Sequence, residues 1–419
     1  MDGEVGLTKT FKSSLGLIVV ALGSCLFTQN LLFAQTKAPA IIDNPETPKY
    51  SGRNAPELII KQDMSIPLES SLYSFDVDDA GNIYLLDILG ATVSIYDKDG
   101  KLIYNFGKKG QGPGEFGNPV CLALSKNNRI HILDRSRKTV QTFDFKGNPR
   151  DHQLLGSVGI LNSLSFDSRG SVYIQHRLSK AALKDEKRLK PEVMGMSFLS
   201  KFDSKFEKVM DIDEWEDSFR RKSRTGEVLS MLYHDIFYYQ ITSDDCLYYG
   251  NSSRYEIYQM TPQGRVTRIV RKKAKRIPAV EKDLVKILED YPDLKQAKDS
   301  LRISSAKPFF ADFHVLDNIG LLVTTYKDEW NDEGILFCDL FDQRGVYIAM
   351  VKVPRYYSWS QHNVEFEKRN RIFKNDKCYS IMPIEKGEAL ALVRHSVELK
   401  WPRAKSGRSI TDTSGHCPR

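Results

Sequence analysis

The chain is 419 residues long, 41% hydrophobic and 27% charged, with 61 Lys and Arg against 54 Asp and Glu for a net charge of +7. Those fractions exclude a disordered, collagenous or multi-span membrane protein, and six cysteines in 419 residues exclude a disulfide-framework miniprotein. The length admits two domains, or one large domain built from repeats.

Lys9 and Lys12 precede an uncharged run from Leu15 to Phe27, the pattern of an export signal, assigned to residues 1–34. Leu22-Gly23-Ser24-Cys25 resembles a bacterial lipobox, which would make Cys25 a lipidation site. Cleavage after Gly23 or Ala34, or retention as an uncleaved anchor, are the competing readings. All of them put the rest of the chain outside the cytoplasm: periplasmic, anchored to an outer membrane, or extracellular. Membrane contact is expected only through an N-terminal lipid or an uncleaved signal. Residues 35–56, rich in Pro and small polar types, read as a linker, and 403–419 as a disordered tail. Of the remaining cysteines, Cys121, Cys338 and Cys378 sit in apolar strand patterns and read as small buried hydrophobes.

From residue 78 onward the chain repeats itself. Asp78–Asp87 is a turn of the form Asp-x-x-Gly followed by an alternating apolar strand closed by Asp. Ser125–Asp134 and Asp167–Ile174 repeat it; Ser243–Tyr249, Asp317–Val323 and Glu385–Leu392 are weaker copies, six in all. A second motif, an aromatic or Met ending a strand before another four-residue turn, follows the first five copies, at Tyr96–Gly100, Phe143–Gly147, Phe202–Lys205, Met260–Gly264 and Phe341–Gly345. The turn-opening Asp bonds back to the backbone and the Gly supplies a left-handed conformation. Each unit therefore reads as four short antiparallel strands, a to d, with the motifs as the a–b and c–d turns. Six such sheets fit an all-β, six-bladed β-propeller over residues 57–402, because a sheet of this kind cannot bury both faces alone. The sixth unit lacks its second motif, so Leu58 to Ile66 is the expected outer strand that closes the last blade.

Gly107 to Phe116, then Asn118-Pro119 and an apolar strand, resembles the linker between blades of NHL repeats. The resemblance extends over roughly 72–150 and is to the secreted bacterial six-bladed propellers related to that family. It implies a binding scaffold and transfers no catalytic residue. Gly112 to Gly117 also matches GxGxxG, but a strand follows instead of a helix, so a dinucleotide site is excluded.

Four segments interrupt the repeat: 179–195, 211–236, 271–308 and 354–375. One is a b–c connection and three are d–a connections, which emerge on the same face of an antiparallel blade. Binding residues concentrate on such loops. Together the four segments carry a charge equal to the whole chain's +7. Within 271–308, between blades four and five, Arg271, Lys272, Lys273, Lys275 and Arg276 are candidate contacts for an acidic partner. Val280, Leu284, Ile287 and Leu288 follow at helical spacing, ended by Pro292, and predict a short amphipathic helix. Tyr356, Tyr357 and Trp359 are candidate binding residues that would stack on sugar rings, or else pack as the core of a loop.

No GxSxG, HExxH or P-loop is present, and no catalytic residue is assigned. His234 and His314 alone fall near a channel entrance, making them weak candidates for a Zn or Ca site of the kind found in amidating lyases and sugar lactonases of six-bladed form. Asp87 and Asp134 read as acceptors for backbone N–H groups. The leading expectation is a monomeric, non-enzymatic scaffold without cofactor that binds a protein, peptide or glycan, and not nucleic acid. A metal-dependent lyase or hydrolase is the alternative.

Overall fold

The computed structural model describes residues 38–70, 73–126, 129–155, 159–183, 189–290, 292–327, 335–354, 371–384 and 389–402. The export-signal residues, Cys25 and the 403–419 tail lie outside the described residues. The chain divides into a unit of residues 1–40 and a unit of residues 41–419; apart from Ala40, every strand residue described belongs to the second.

The hairpins rest on one local device. The Asp78 carboxylate accepts the backbone N–H groups of Ala80 (2.9 Å) and Asn82 (2.8 Å), and Gly81 N–H donates to the Asp78 carbonyl (3.1 Å). Asp97, Asp144, Asp167, Asp203 and Asp342 each accept the same two N–H groups, two and four residues on. The third residue after the Asp takes a positive φ, +82° at Gly100 and +86° at Gly345, which glycine adopts without strain. Phe206 holds the same conformation at +63°, a side-chain clash that costs about 1 kcal/mol.

Strands β1 (Ala40–Asn44) and β2 (Glu57–Leu68) come first. Blade one is β3 (Tyr73–Val77), β4 (Ile83–Asp87), β5 (Thr92–Tyr96) and β6 (Leu102–Phe106). Blade two is β7 (Pro119–Ser125), β8 (Arg129–Asp134), β9 (Thr139–Phe143) and β10 (Pro149–Leu154). Blade three is β11 (Ile160–Phe166), β12 (Val172–Ser179), β13 (Gly195–Phe202) and β14 (Lys208–Glu216). After β15 (Arg220–Lys222) and β16 (Val228–Leu232), blade four is β17 (Phe237–Ile241), β18 (Leu247–Asn251), β19 (Glu256–Met260) and β20 (Val266–Lys272). Helix α1 (Glu281–Asp290) and β21 (Leu301–Ile303) precede blade five, which is β22 (Asp312–Leu316), β23 (Gly320–Thr324), β24 (Ile335–Phe341) and β25 (Tyr347–Pro354). Blade six combines β26 (Arg371–Lys374), β27 (Lys377–Ile384) and β28 (Ala389–Lys400) with β2, which pairs antiparallel to β28 from Glu57 to Leu68.

Each blade buries both faces. One apolar cluster joins blades one and two through Leu86, Val93, Ile132 and Phe143, and another joins two and three through Val140, Leu133, Val172 and Phe202. Tyr173, Leu199, Phe237 and Leu247 fill the next interface, then Ile257, Val270, Phe313 and Phe341. Leu340, Val351, Cys378 and Val397 join five to six, and Ile66, Ile381, Phe75 and Ile83 close the circle from six to one. The a strands β3, β7, β11, β17, β22 and β26 meet in that order and back to β3, β11 and β17 through Ser163 and Tyr239, so they form the inner wall.

Three observations depart from the sequence expectations. A further sheet exists: β15 and β16 pair antiparallel, and β16 pairs parallel to β21, so the two insertions 211–236 and 271–308 combine into one three-stranded element. The reason is apolar: Leu232, Tyr233, Ile287, Leu288 and Leu301 share one buried cluster, which neither insertion could cover alone. The sixth repeat copy, 385–388, lies between β27 and β28 and so is a b–c connection; the a–b turn of that blade is Asn375-Asp376, both at positive φ. Lastly, the segment expected as a linker contributes β1, which extends blade four beside β20. The Asn44 amide donates to the carbonyls of Arg271 and Gly345 (both 2.9 Å) and its oxygen accepts Tyr347 N–H (2.7 Å), fastening that segment to blades four and five.

The same seam holds a buried charge. Lys272 Nζ lies 2.9 Å from Asp339, which also accepts the hydroxyls of Tyr255 (2.5 Å) and Tyr347 (2.6 Å), and the ammonium sits over both rings. Removing one member of such a group leaves the others desolvated and unpaired. Asp339→Ala should lower unfolding free energy by about 3 kcal/mol or more, measured by urea denaturation, whereas Asp99→Ala, which breaks the exposed pair with Lys98, should leave the midpoint unchanged. Equal midpoints for both variants would show that the Asp339 group does not hold the seam.

Candidate functional site

Several polar side chains of the inner strands are engaged by the neighbouring blade. Ser74 Oγ and Asp76 on β3 accept the backbone N–H groups of Leu122 (3.0 Å) and Leu124 (2.9 Å) on β7. Tyr239 Oη on β17 lies 3.2 Å from Ser163 Oγ on β11. The Gln240 amide pairs with both backbone groups of Val315 on β22 (3.0 and 2.9 Å). Lys374 Nζ on β26 donates to the Val77 carbonyl on β3 (2.7 Å).

His314, one of the two histidines singled out as metal candidates, belongs to this ring. Arg371 Nε donates to its Nε2 (3.1 Å), and the same guanidinium donates to Asp312 (2.9 and 3.2 Å) and Thr324 Oγ1 (2.7 Å). Although burial works to raise it, the Asp312 carboxyl is held well below the usual range by the Arg371 charge and then by His314. A guanidinium already stands where a cation would draw on these donors, so they do not fit a metal centre. Among the described residues no three of His, Cys, Asp and Glu converge as a metal-holding group.

His234 follows β16 and is buried against Phe219, with Nδ1 3.0 Å from the Met231 carbonyl and Nε2 facing no hydrogen-bond partner. Burial lowers its pKa to about 4. His131 and His176 are lowered to about 4 by the same cause and lie between β-strand hydroxyls and aromatic rings. Cys338 and Cys378 are free and buried, and burial pushes both thiols up to about 12, so neither is poised as a nucleophile. Cys121 is free and half-buried, while Cys246 is disulfide-bonded. Asp134 accepts N–H groups of Gly117 (2.6 Å) and Asn118 (3.1 Å), and Asp87 those of Leu89 (3.0 Å) and Gly90 (2.9 Å), which fixes loops at blade ends.

The basic run divides. Arg271 and Lys272 end strand β20, where Arg271 meets Glu256 (3.0 Å) and Lys272 is the buried partner of Asp339. Arg276 pairs with Asp235 (2.5 Å) over the Phe309 ring. Lys273 and Lys275 are exposed. Beside α1, Lys307 Nζ reaches Asp283 (2.8 Å), whose carboxylate also caps Val280 N–H at the helix start (2.8 Å). Tyr356, Tyr357 and Trp359 lie outside the described residues.

Two features escaped the sequence. Arg135, Arg177 and Arg220 gather where the 217–236 insertion meets blade three: Arg135 donates to the Leu161 carbonyl (3.0 Å) at the start of β11, and Arg177 to Asp217 (2.6 Å). Arg135 and Arg220 have lowered pKa values, first through burial and then through the charge of Arg177. These three are far apart in sequence: β11–β12 pairing sets Arg177 opposite Ile160, next to the Leu161 carbonyl that Arg135 reaches, and Arg220 comes from the separate β15–β16 hairpin. On the opposite, tight-turn face a cavity of about 340 Å³ opens between blades four and five.

Residues 71–193, blade one to the middle of blade three, match a family model described as a 6-bladed beta-propeller. No curated protein sequence matches the chain. Among solved structures, a protein from Bacteroides fragilis described as exported shares 13% identity over 86% of this chain and all of that one, with a TM-score of 0.46. A Bacteroides vulgatus protein of a family without assigned function shares 11% over 84% of this chain and all of that one (TM-score 0.48). Virginiamycin B lyase from Staphylococcus aureus shares 10% over 80% of this chain and 99% of that one (TM-score 0.41). All three scores lie below 0.5, so what those proteins do stays with them.

The histidines set an acid limit. The unfolded chain takes up these protons near the ordinary imidazole value of 6.5, the folded chain only near 4, so stability should fall as pH drops through that window. His234→Asn retains a donor for the Met231 carbonyl and removes the titration. It should lose fewer degrees of melting temperature than the parent between about pH 7 and about pH 4. Parallel melting curves would show that His234 does not contribute.

Proposed function

We propose that the protein is an exported, NHL-like β-propeller that works as a binding scaffold, taking an acidic protein, peptide or glycan on the face that carries the long insertions. The observation that supports this most is the contrast between the two faces. One carries compact Asp-x-x-Gly turns closed on their own carboxylates, and the other carries a packed three-stranded sheet, a helix and the Arg135–Arg177–Arg220 group. Guanidinium groups recognise carboxylates and sulfates with paired hydrogen bonds, and a partly buried group of three gains most from an anionic partner. The exposed Lys273 and Lys275 extend the same positive character. The inner-wall carboxylates and histidine, engaged by Arg371 and by backbone groups, support a scaffold over a catalyst.

Glycan and peptide arrays probed with the purified protein test this. Binding should concentrate on acidic members and weaken at least about tenfold when Arg220→Ala is combined with Lys273→Glu and Lys275→Glu. Lys272 and Arg276 are left intact because their substitution would disturb internal pairs. Binding indifferent to ligand charge, or unchanged in the triple variant, would remove the proposal.

A further inference from the structure

The outer strand of a blade offers a row of backbone N–H and C=O groups to any extended chain, and proteins guard such rows with charge, bulges or a covering segment. Here β10 carries Arg150 and Asp151, β14 carries Lys208, Asp211 and Asp213, and β2 carries Lys61 and Asp63. β20 is covered by β1, and the Tyr347 and Ile348 carbonyls of β25 accept the N–H groups of Lys49 (3.1 Å) and Tyr50 (2.9 Å). β6 has neither guard: Leu102–Phe106 holds no charged residue and, among the described residues, pairs on one side only, with β5. Leu102, Ile103 and Tyr104 are 49%, 58% and 46% exposed, so consecutive side chains stand open on both faces beside the edge. The ends of this edge are basic. Lys101 precedes the strand and Lys109 follows it, both exposed and neither with an ion-pair partner among the described residues. Blade four shows what such an edge accepts: Ile41-Ile42-Asp43-Asn44, apolar and then acidic, belongs to the fifth strand beside β20, which ends in Arg271 and Lys272.

We propose that β6 is a docking edge for an extended segment of another protein, apolar at alternate positions and acidic at both ends, which adds to blade one as a fifth strand. Main-chain hydrogen bonds along the free edge hold the segment, Leu102, Ile103 and Tyr104 receive its apolar side chains, and Lys101 and Lys109 receive its acidic ends. A second copy of this chain suits the edge less well. Pairing β6 antiparallel with itself would set Lys101 of one copy near the Lys109 of the other, and like charges across a strand pair oppose the contact. The edge lies on the rim of blade one, so this proposal stands independently of the partner on the insertion face.

Fluorescence anisotropy of the purified protein with the labelled peptide Glu-Asp-Ile-Thr-Ile-Thr-Ile-Asp-Glu tests the edge. Two counterparts accompany it, one with Lys at every acidic position and one N-methylated along its central residues, which cannot form a strand ladder. The acidic peptide should bind, and each counterpart should bind at least about tenfold more weakly. Lys101→Glu combined with Lys109→Glu, both at exposed positions, should reverse the preference in favour of the Lys-flanked peptide. Ile103→Lys places a charge on the edge and should weaken the acidic peptide at least about tenfold. No binding of the acidic peptide overturns the proposal, as does equal binding of the N-methylated one. Acidic-peptide binding that ignores both sets of β6 substitutions belongs to another surface and also overturns it. A dimer in sedimentation that Ile103→Lys dissociates would assign the edge to a second copy and overturn it as well.

Discussion

A four-stranded sheet that is apolar on both faces is stable only with a neighbour on each side, and the rest of this molecule follows from that condition. Val93 and Leu86 on one side of the first interface, and Ile132 and Phe143 on the other, are each buried by residues from the adjacent blade. No end blade exists that could face water, so the row of sheets has to return on itself. β2 supplies the return: it comes from before the first blade, yet pairs with β28 from the far end of the chain. Asp63 strengthens this seam, receiving Lys377 (2.5 Å) and Arg394 (2.6 Å) from the strands it joins. The Asp63 carboxyl is lowered by those two bases against the opposing effect of burial. The circle thus links the two ends of the sequence thermodynamically, since freeing β2 would open both the last blade and its contact with the first.

Closing the circle brings six inner strands into a confined space where unpaired polar groups are costly. The chain meets that cost with side chains that bond across to the next blade, and this explains why two neighbouring inner strands can carry Asp312 and His314 on one and Arg371 on the other. The same bonds limit what the wall can do chemically. A carboxylate bound by a guanidinium is a poor base, and an imidazole nitrogen that already accepts a hydrogen bond cannot also bind a metal.

How much of this could be read from the residues depends on the range of the interaction. Turn chemistry is local, so Asp78-x-x-Gly81 and its relatives located five a–b and five c–d connections, and strand alternation then placed the blades. The closing strand near Leu58–Ile66 was legible because a missing partner in the last unit required one. The sixth copy, Glu385–Leu392, was misplaced because Gly387 in the sequence imitates the repeat's turn signal, while the a–b turn, Asn375-Asp376, reaches its left-handed conformation without glycine. The sheet of β15, β16 and β21 could not be foreseen from either insertion, since its parallel pair joins Ser230 to Leu301 across an entire blade. Arg135, Arg177 and Arg220 share no motif, and the cavity belongs to two blades at once.

Charge shows the same limit most clearly. Counted along the chain, the four insertions sum to +7 and the remainder of the chain to zero. In space the division does not hold, because Arg271, Lys272 and Arg276 reach Glu256, Asp339 and Asp235, three acids from other strands and connections. Lys374 likewise crosses to Asp79 on the first blade (2.9 Å). A basic run is therefore not by itself a basic surface: residues alternate along β20, and those turned toward the neighbouring blade find partners there. What reaches solvent beyond the strand end is the smaller set, Lys273 and Lys275, while Arg135 and Arg177, from other segments, are engaged by the Leu161 carbonyl and by Asp217. Where positive charge lies on this molecule accordingly depends on how blade three meets its insertion, more than on the length of the run after residue 270.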